Sequence, residues 1–107
     1  MRPLTFSDDN GNERKWAPGG TESAADSFWE FVQKHMSEDN TSFYIDEDGA
    51  DEGVCFFFDS GTAARVQLGE QKRTEYRVVS DFSQYRTLVE AYVRGGFPGL
   101  DLLLHRA

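Results

Sequence analysis

The sequence has few of the residues that most often carry covalent chemistry, with one cysteine and two histidines among its 107 residues. A single cysteine excludes an internal disulfide and gives no evidence for an oxidising compartment. One cysteine and two histidines also make a structural zinc site improbable. Cys55 lies inside an apolar run, where a thiol usually acts as a small buried hydrophobe. We therefore predict no catalytic residue and no enzyme activity.

Long apolar runs are also missing. The longest, residues 54–58, is far shorter than the ~20 residues that cross a bilayer. The first residues contain no apolar segment of the kind found in a signal peptide. Both observations predict a cytoplasmic protein that does not bind membranes.

Positive charge is scarce in the first half of the chain. The net charge is −8, and residues 1–60 hold fourteen acids and only four bases, whereas residues 61–107 hold five acids and seven bases. Such an asymmetry bears on binding partners and association rates, and says little about the fold. An acidic chain also repels nucleic acid, so we do not expect a polyanionic partner.

What the sequence does contain is a concentrated acidic stretch, residues 37–60, with eight carboxylates and no Lys or Arg. Two short apolar runs, 43–45 and 54–58, lie within it and are predicted to form adjacent strands. These acids either form a solvated face that only keeps the protein soluble, or belong to a binding surface. Aromatic side chains surrounded by charge of one sign are typical of a surface that binds a basic protein tightly. The predicted partner-binding residues are Glu38, Asp39, Tyr44, Asp46, Glu47, Asp48, Asp51, Glu52, Phe57 and Asp59.

The acidic loop after residue 45 invites comparison with a calcium site. An EF-hand loop needs Gly at its sixth position and Glu at its twelfth. Counting from Asp46, Gly49 is fourth and Phe57 is twelfth, so the EF-hand pattern is not met. A looser calcium or magnesium site stays an alternative to a solvated acidic loop. We predict no metal ion and no other cofactor.

At this length the chain is predicted to form a single domain over residues 1–107. Alternating residues at 3–8 and 13–17 around Asn10-Gly11 predict either a hairpin with a type I′ turn or a disordered terminus anchored by Trp16, followed in both cases by a Pro-Gly linker to residue 20. Residues 21–107 are expected to form the core of the domain. It begins with a helix, capped by Thr21 or Ser23, that runs to about Met36 and buries Ala25, Phe28 and Val32.

Four strands with short connections follow the first helix. Val54, Phe56 and Phe58 are predicted on one face, with Ala64, Val66 and Leu68 also inward and Arg65 and Arg77 outward. A second helix, capped by Asp81, should end at Gly95-Gly96, and the apolar tail 100–104 should pack as an edge strand or a short helix. The predicted fold is α+β, an antiparallel meander of four or more strands with two helices, in the order (ββ)-α-β-β-β-β-α plus a short C-terminal element.

In size, acidity and helix–meander–helix layout, the chain resembles the small immunity proteins that neutralise bacterial toxins, many of them nucleases. The resemblance implies stoichiometric inhibition of a toxin domain, with Asp46, Asp48, Asp51 and Glu52 meeting basic side chains of the toxin. A phage-encoded inhibitor that mimics the charge of DNA would look much the same. Two alternatives are a homodimeric structural module that uses the outer sheet face, and an anion or nucleic-acid site at Arg65, Lys72, Arg73 and Arg77.

Overall fold

The computed structural model describes residues 3–49, 52–67, 73–77 and 82–105, with side chains for 3–49, 53–64 and 83–100. The fold is α+β with an antiparallel sheet and two helices, as predicted. The elements in chain order are β1 (Leu4–Asp8), β2 (Glu13–Trp16), α1 (Ala24–His35), β3 (Ser42–Glu47), β4 (Glu52–Phe57), β5 (Thr62–Gln67), β6 (Arg73–Arg77) and α2 (Phe82–His105).

Six strands form one sheet in the order β2-β1-β3-β4-β5-β6, and every neighbouring pair is antiparallel. The sheet joins an N-terminal hairpin, β1–β2, to a meander, β3–β6. The junction is the pairing of β1 with β3, and α1 connects β2 to β3. Because of this junction, the hairpin is part of the same hydrophobic core as the meander.

The hairpin confirms the predicted strands, but the prediction of a type I′ turn is wrong. The strands are separated by residues 9–12, and Gly11 alone among them has a positive φ, of 85°. The Asp8 carboxylate holds this longer loop, because its Oδ1 accepts the backbone N–H groups of Asn10 at 3.0 Å and Asn12 at 2.9 Å. Aspartate often organises a turn in this way, by hydrogen bonding to backbone a few residues ahead.

Asp8 also connects the hairpin to the rest of the domain. Its Oδ2 accepts hydrogen bonds from the side-chain amides of Asn12 and Asn40, both at 2.9 Å. The Asn40 amide donates to the carbonyl of His35 as well, at 2.9 Å, at the end of α1. Burial alone would raise the pKa of Asp8, but these hydrogen bonds together hold it below its usual value. One buried carboxylate therefore ties together the hairpin loop, the end of α1 and the turn before β3.

The first helix begins and ends where the sequence predicts. The Ser23 side chain accepts the backbone N–H of Asp26 at 3.1 Å, which makes it the N-cap residue. The buried side chains follow the predicted stripe and include Phe28 and Val32. Met36, at the predicted end of the helix, is the C-cap residue and is 40% exposed.

Both helices cover the same face of the sheet. Phe28, Phe31 and Val32 of α1 pack in one cluster with side chains from α2 and from the strands. Phe56 lies at the centre of this cluster, with its ring 5.8 Å from that of Phe28 and 6.4 Å from that of Tyr85. The strand residues that face the helices and are fully buried are Phe6, Phe43, Ile45, Val54, Phe56 and Ala63.

The predicted register of β5 is wrong by one residue. Ala63, and not Ala64, lies opposite the core residue Phe56, whereas Ala64 lies opposite Cys55 on the other face. Position 65 is accordingly opposite Val54 and position 66 opposite Gly53, while position 68 lies outside the described residues. Both alanines are fully buried, so burial could not decide between the two registers, and a shift of one residue exchanges the faces of a whole strand.

The second helix buries the predicted stripe, including Tyr85, Val89 and Tyr92. Its expected cap at position 81 lies outside the described residues. The helix breaks at Gly96, which has φ 61° and ψ −152°, and then resumes, so the tail is helical rather than a strand. Pro98 is compatible with this second segment because it lies in its first turn, where a backbone N–H is not needed.

Candidate functional site

The sheet has a second face, opposite α1 and α2, which neither of these helices covers. Residues on this face alternate along each strand with the core residues and pair with one another across the sheet. We call it the outer face. Its described side-chain positions are Thr5, Ser7, Glu13, Lys15, Ser42, Tyr44, Asp46, Gly53, Cys55, Phe57, Thr62 and Ala64.

Tyr44 occupies the middle of the outer face, with Ser7 and Cys55 as its neighbours on the adjacent strands. Its hydroxyl donates a hydrogen bond of 2.7 Å to Oδ1 of Asp9. Burial and this hydrogen bond raise the pKa of Tyr44 well above its usual range, so the phenol keeps its proton. Cys55 is fully buried. The tyrosine is thus an oriented aromatic group with a carboxylate fixed at its tip.

Asp46 lies at one edge of the outer face, opposite Gly53. A Cβ atom at position 53 would collide with the Asp46 carboxylate and approach the carbonyl oxygen of Ile45 to 2.8 Å. Glycine at this position therefore allows the carboxylate to lie against the backbone of β4. Burial, and then the neighbouring charge of Asp48, raise the pKa of Asp46.

Asp48 follows β3 and is held by β1. Its backbone N–H donates to the carbonyl of Pro3 at 2.9 Å, and its Oδ1 accepts the hydroxyl of Thr5 at 2.9 Å. The position of this carboxylate next to Asp46 is therefore set by hydrogen bonds, even though the side chain is exposed. Two carboxylates are kept close together although their charges repel each other.

The structure divides the predicted binding residues between two ends of β3. Asp46, Glu47 and Asp48 lie at its C-terminal end, whereas the exposed Glu38 and Asp39 lie in the turn before it. The six residues of β3 lie between the two groups, and at ~3.3 Å per residue they separate them by about 15–20 Å. Exposed Asp59 follows β4 on the same side as Glu38 and Asp39, because β4 runs antiparallel to β3.

The remaining predicted residues contribute in different ways. Phe57 is half-buried on the outer face, opposite Ser42 and Thr62. Glu47 is opposite Leu4, in the row that faces the helices. For Glu52 only the backbone is described, as part of β4, and position 51 lies outside the described residues.

Five acidic residues of this region make no ion pair with a described basic residue. The ion pairs within the part of the chain that has described side chains are Arg14–Glu30, Lys15–Glu13 and Arg94–Glu90. None of them involves Glu38, Asp39, Asp46, Asp48 or Asp59. Lys15 is the described base on the outer face, and its Nζ also contacts the Thr5 hydroxyl at 3.2 Å.

Sequence reasoning missed Asp9 as part of the site. It belongs to the hairpin loop, thirty-five positions before Tyr44 in the chain. The two meet only because β1 pairs with β3, and the sequence carries no signal for that pairing. Counting alternation along β1 could have placed Ser7 on the outer face, but not the loop residue that follows.

The alternative basic site is largely outside the described side chains. The backbone places Arg65 in β5 and Arg73 and Arg77 in β6, whereas Lys72 lies in a segment that is not described. An anion or nucleic-acid site there stays a prediction. Among the described residues, no group of three or more His, Cys, Asp or Glu side chains is placed to hold a metal ion. In the same part of the chain, no helix has the length and apolar character needed to span a bilayer.

Comparison with known proteins gives a family but no activity. Residues 1–105 match the family described as "Family of unknown function (DUF6357)". No curated protein and no solved structure matches the chain significantly. The resemblance to immunity proteins therefore stays a prediction. Because the match extends over nearly the whole sequence, the chain belongs to the DUF6357 family.

Proposed function

We propose that this chain is a non-catalytic binding protein whose outer face receives a basic protein partner. An immunity or inhibitor protein acts in this way when it covers the cationic surface of a toxin domain, such as a nuclease. The observation that carries the proposal is that Glu38, Asp39, Asp46, Asp48 and Asp59 are exposed or half-buried and make no ion pair within the described residues.

The Asp46–Asp48 pair supports this proposal energetically. Burial and the charge of Asp48 both disfavour the ionised form of Asp46, which is why its pKa is raised. An arrangement of this kind is unfavourable for the folded chain alone. A lysine or arginine of a partner placed between the two carboxylates would remove the repulsion and be attracted by both charges. The site is therefore arranged to favour the bound state.

The aromatic residues would supply the apolar part of the contact. Tyr44 and Phe57 are both half-buried, so each has surface left to bury against a partner. Tyrosine is enriched among the residues that dominate binding energy, and a surrounding ring of polar groups excludes water from such contacts. The unpaired carboxylates would meanwhile accelerate encounter with a basic protein by electrostatic steering.

The proposal predicts that replacing Asp46 and Asp48 together by asparagine slows association with the basic partner. The partner is to be captured from the native host by immobilised wild-type protein and then purified, and association rates are to be measured at several salt concentrations. Electrostatic steering can raise an association rate constant by about 10- to 10³-fold. We therefore expect the double variant to associate about tenfold more slowly at low salt. The difference should shrink as salt is added.

The matched control is Glu22→Gln with Glu30→Gln, which removes the same charge from α1 and its N-terminal flank. The control should slow association less than the Asp46/Asp48 variant does, because the charges nearest the docking surface are proposed to steer the partner most strongly. Equal association rates of wild type and the Asp46/Asp48 variant at low salt would contradict the proposal. The same holds if the captured proteins are not basic.

A second prediction concerns stability. The pKa of Asp46 is raised in the folded state. Its contribution to stability is therefore fully present below the pKa that Asp46 has in the unfolded chain, and it is lost as pH rises through the pKa that Asp46 has in the folded state. At neutral pH, the free energy of unfolding of Asp46→Asn, measured with urea, should therefore equal that of wild type or exceed it by up to ~0.5 kcal/mol. The advantage should fade in acid. A clear loss of stability at neutral pH would show that Asp46 serves the fold rather than binding.

A further inference from the structure

A groove with a volume of about 390 Å³ lies on the helical side of the molecule, between β2, the start of α1 and α2. Its apolar wall includes Trp16, Ala24, Ala25 and Val93. The indole N–H of Trp16 donates to the carbonyl of Glu22 at 3.0 Å, so the orientation of the ring is set by the flank of α1. The outer face plays no part in this groove, which is on the opposite side of the sheet.

The rim of the groove carries charge of both signs. Asp26 and Glu90 contribute carboxylates, and Arg94 lies beside them with its Nε 3.3 Å from Oε2 of Glu90. All three side chains are exposed. Because Arg94 is already paired with Glu90, Asp26 is the rim charge left without an ion pair among the described residues.

The surroundings of the groove are more negative than its rim. Glu22 lies four residues before Asp26, in the flank of α1, and Glu30 lies four residues after it, in α1. The nearby carboxylate of Glu30, and to a lesser degree that of Asp26, raise the pKa of Glu22 despite the opposing effect of Arg14. The local field is thus negative even at the start of a helix, where the helix dipole is positive.

We propose that this groove receives a lysine or arginine side chain of a basic polypeptide. The aliphatic stem would lie on Ala24 and Val93, and the cationic group would lie against the Trp16 ring between Asp26 and Glu90. Cations bind most strongly to the indole face among aromatic rings. The inference rests on the proposal that this chain binds a basic polypeptide, but not on the outer face being the place where it docks.

The chemistry of the groove argues against two other occupants. An anion would lie close to the carboxylates of Asp26 and Glu90, which repel it, and the backbone N–H of Asp26 at the helix N-terminus is already bonded to Ser23. A free small molecule normally has ~70–90% of its surface buried by its site. A groove whose charged residues are all exposed offers less enclosure than this, whereas a side chain delivered by a docked polypeptide needs no such burial.

The test is a titration of isotope-labelled protein followed by NMR. The probe is the peptide acetyl-Ala-Arg-Ala-amide, and its matched control contains citrulline, which has the shape of arginine without its charge. We expect the indole N–H resonance of Trp16 to shift and saturate with the arginine peptide and to stay unchanged with the citrulline peptide. Equal shifts with both peptides, or no saturating shift, would overturn the groove proposal.

Variants of the rim are expected to change the affinity for the arginine peptide in opposite directions. Asp26→Asn with Glu90→Gln should weaken binding of the arginine peptide about fivefold, because each exposed charge contributes modestly. Arg94→Gln should strengthen it, because a like charge is removed and Glu90 is released. A merely structural role would not give opposite effects. Unchanged melting temperatures would show that each variant is folded.

The outer-face variant separates this inference from the proposed function. Asp46→Asn with Asp48→Asn should leave the titration observed at the Trp16 indole N–H unchanged, because that resonance reports on the groove and not on the outer face. Weakening by that variant, and not by the Asp26/Glu90 variant, would overturn the groove while leaving a basic partner in place. If wild-type protein captures no basic protein from the host, the proposed function fails, whatever the peptide does.

Discussion

Replacing Phe56 by alanine is expected to lower the free energy of unfolding by ~3–5 kcal/mol, the usual cost of deleting a buried phenylalanine. Phe56 is fully buried in a central strand, and its ring packs against Phe28, Phe58 and Tyr85. These neighbours come from both helices and from the residue that follows β4, so the cavity cannot be closed by moving one element. For a domain of about this size, such a loss lowers the melting temperature by about 15–25 °C.

The neighbouring residue provides a matched control for this experiment. Phe57 has the same side chain one position along β4, but lies on the outer face and is half-buried. Phe57→Ala should lose clearly less stability, while weakening binding of the basic partner. Thermal and urea unfolding of the two variants measure the difference. Equal losses would mean that the two faces of β4 are equally packed, and that Phe57 is not available to a partner.

The second large effect is expected at Asp8, where replacement by alanine should lower the free energy of unfolding by about 3 kcal/mol. Asp8 accepts four hydrogen bonds, from two backbone N–H groups and from the side-chain amides of Asn12 and Asn40. Removing the carboxylate leaves these donors without their acceptor, and each unsatisfied buried group costs ~1–3 kcal/mol where water cannot replace the partner. Part of this loss is offset because the hairpin loop is exposed on one side.

The pH dependence of stability identifies this carboxylate specifically. The folded pKa of Asp8 lies below its ordinary value of 3.8. Its contribution is therefore fully present above the unfolded pKa and is lost as pH falls through the folded one. Urea unfolding between neutral and strongly acid pH should show this loss in wild type and less of it in Asp8→Ala. An Asp8 variant as acid-sensitive as wild type would contradict the assignment.

Asp8 and Asp46 show how one residue type serves two purposes in this chain. Donors surround Asp8 and lower its pKa, so its charge stabilises the folded state. Asp46 is partly buried and lies near a second carboxylate, and both effects raise its pKa, so its charge opposes folding. Only the second arrangement leaves a charge that a partner can satisfy. Composition counts these two residues as equal, and only their hydrogen-bond partners distinguish them.

The helices and most strands could be predicted because their signals are local. Helical spacing of Phe28 and Val32, together with the Ser23 cap, is contained within one short segment. The apolar run around Phe56 is similarly complete in itself, and its central place in the sheet follows from having apolar residues on both faces. Even the break at Gly96 follows from glycine's access to positive φ.

The predictions that are wrong concern segments where the local sequence does not favour one structure over another. Ala63 and Ala64 are equally small and apolar, so the sequence favours neither register of β5. The hairpin loop follows from the Asp8 hydrogen bonds rather than from its Asn-Gly pair. The groove at Trp16 joins β2 to residues of α2 more than seventy positions later in the chain. No periodicity within one segment contains information about such a distant neighbour.

By itself, the sequence determined that this protein is an acidic α+β domain with an aromatic core, because periodicity, caps and composition act over a few neighbouring residues. The tertiary structure decided which carboxylates lie together. Pairing of β1 with β3 brings Asp9 to Tyr44 and Thr5 to Asp48, whereas the extended length of β3 separates Glu38 and Asp39 from Asp46. The physical reason is that strand pairing is non-local, so the charge on a surface depends on contacts between segments that are far apart in the chain.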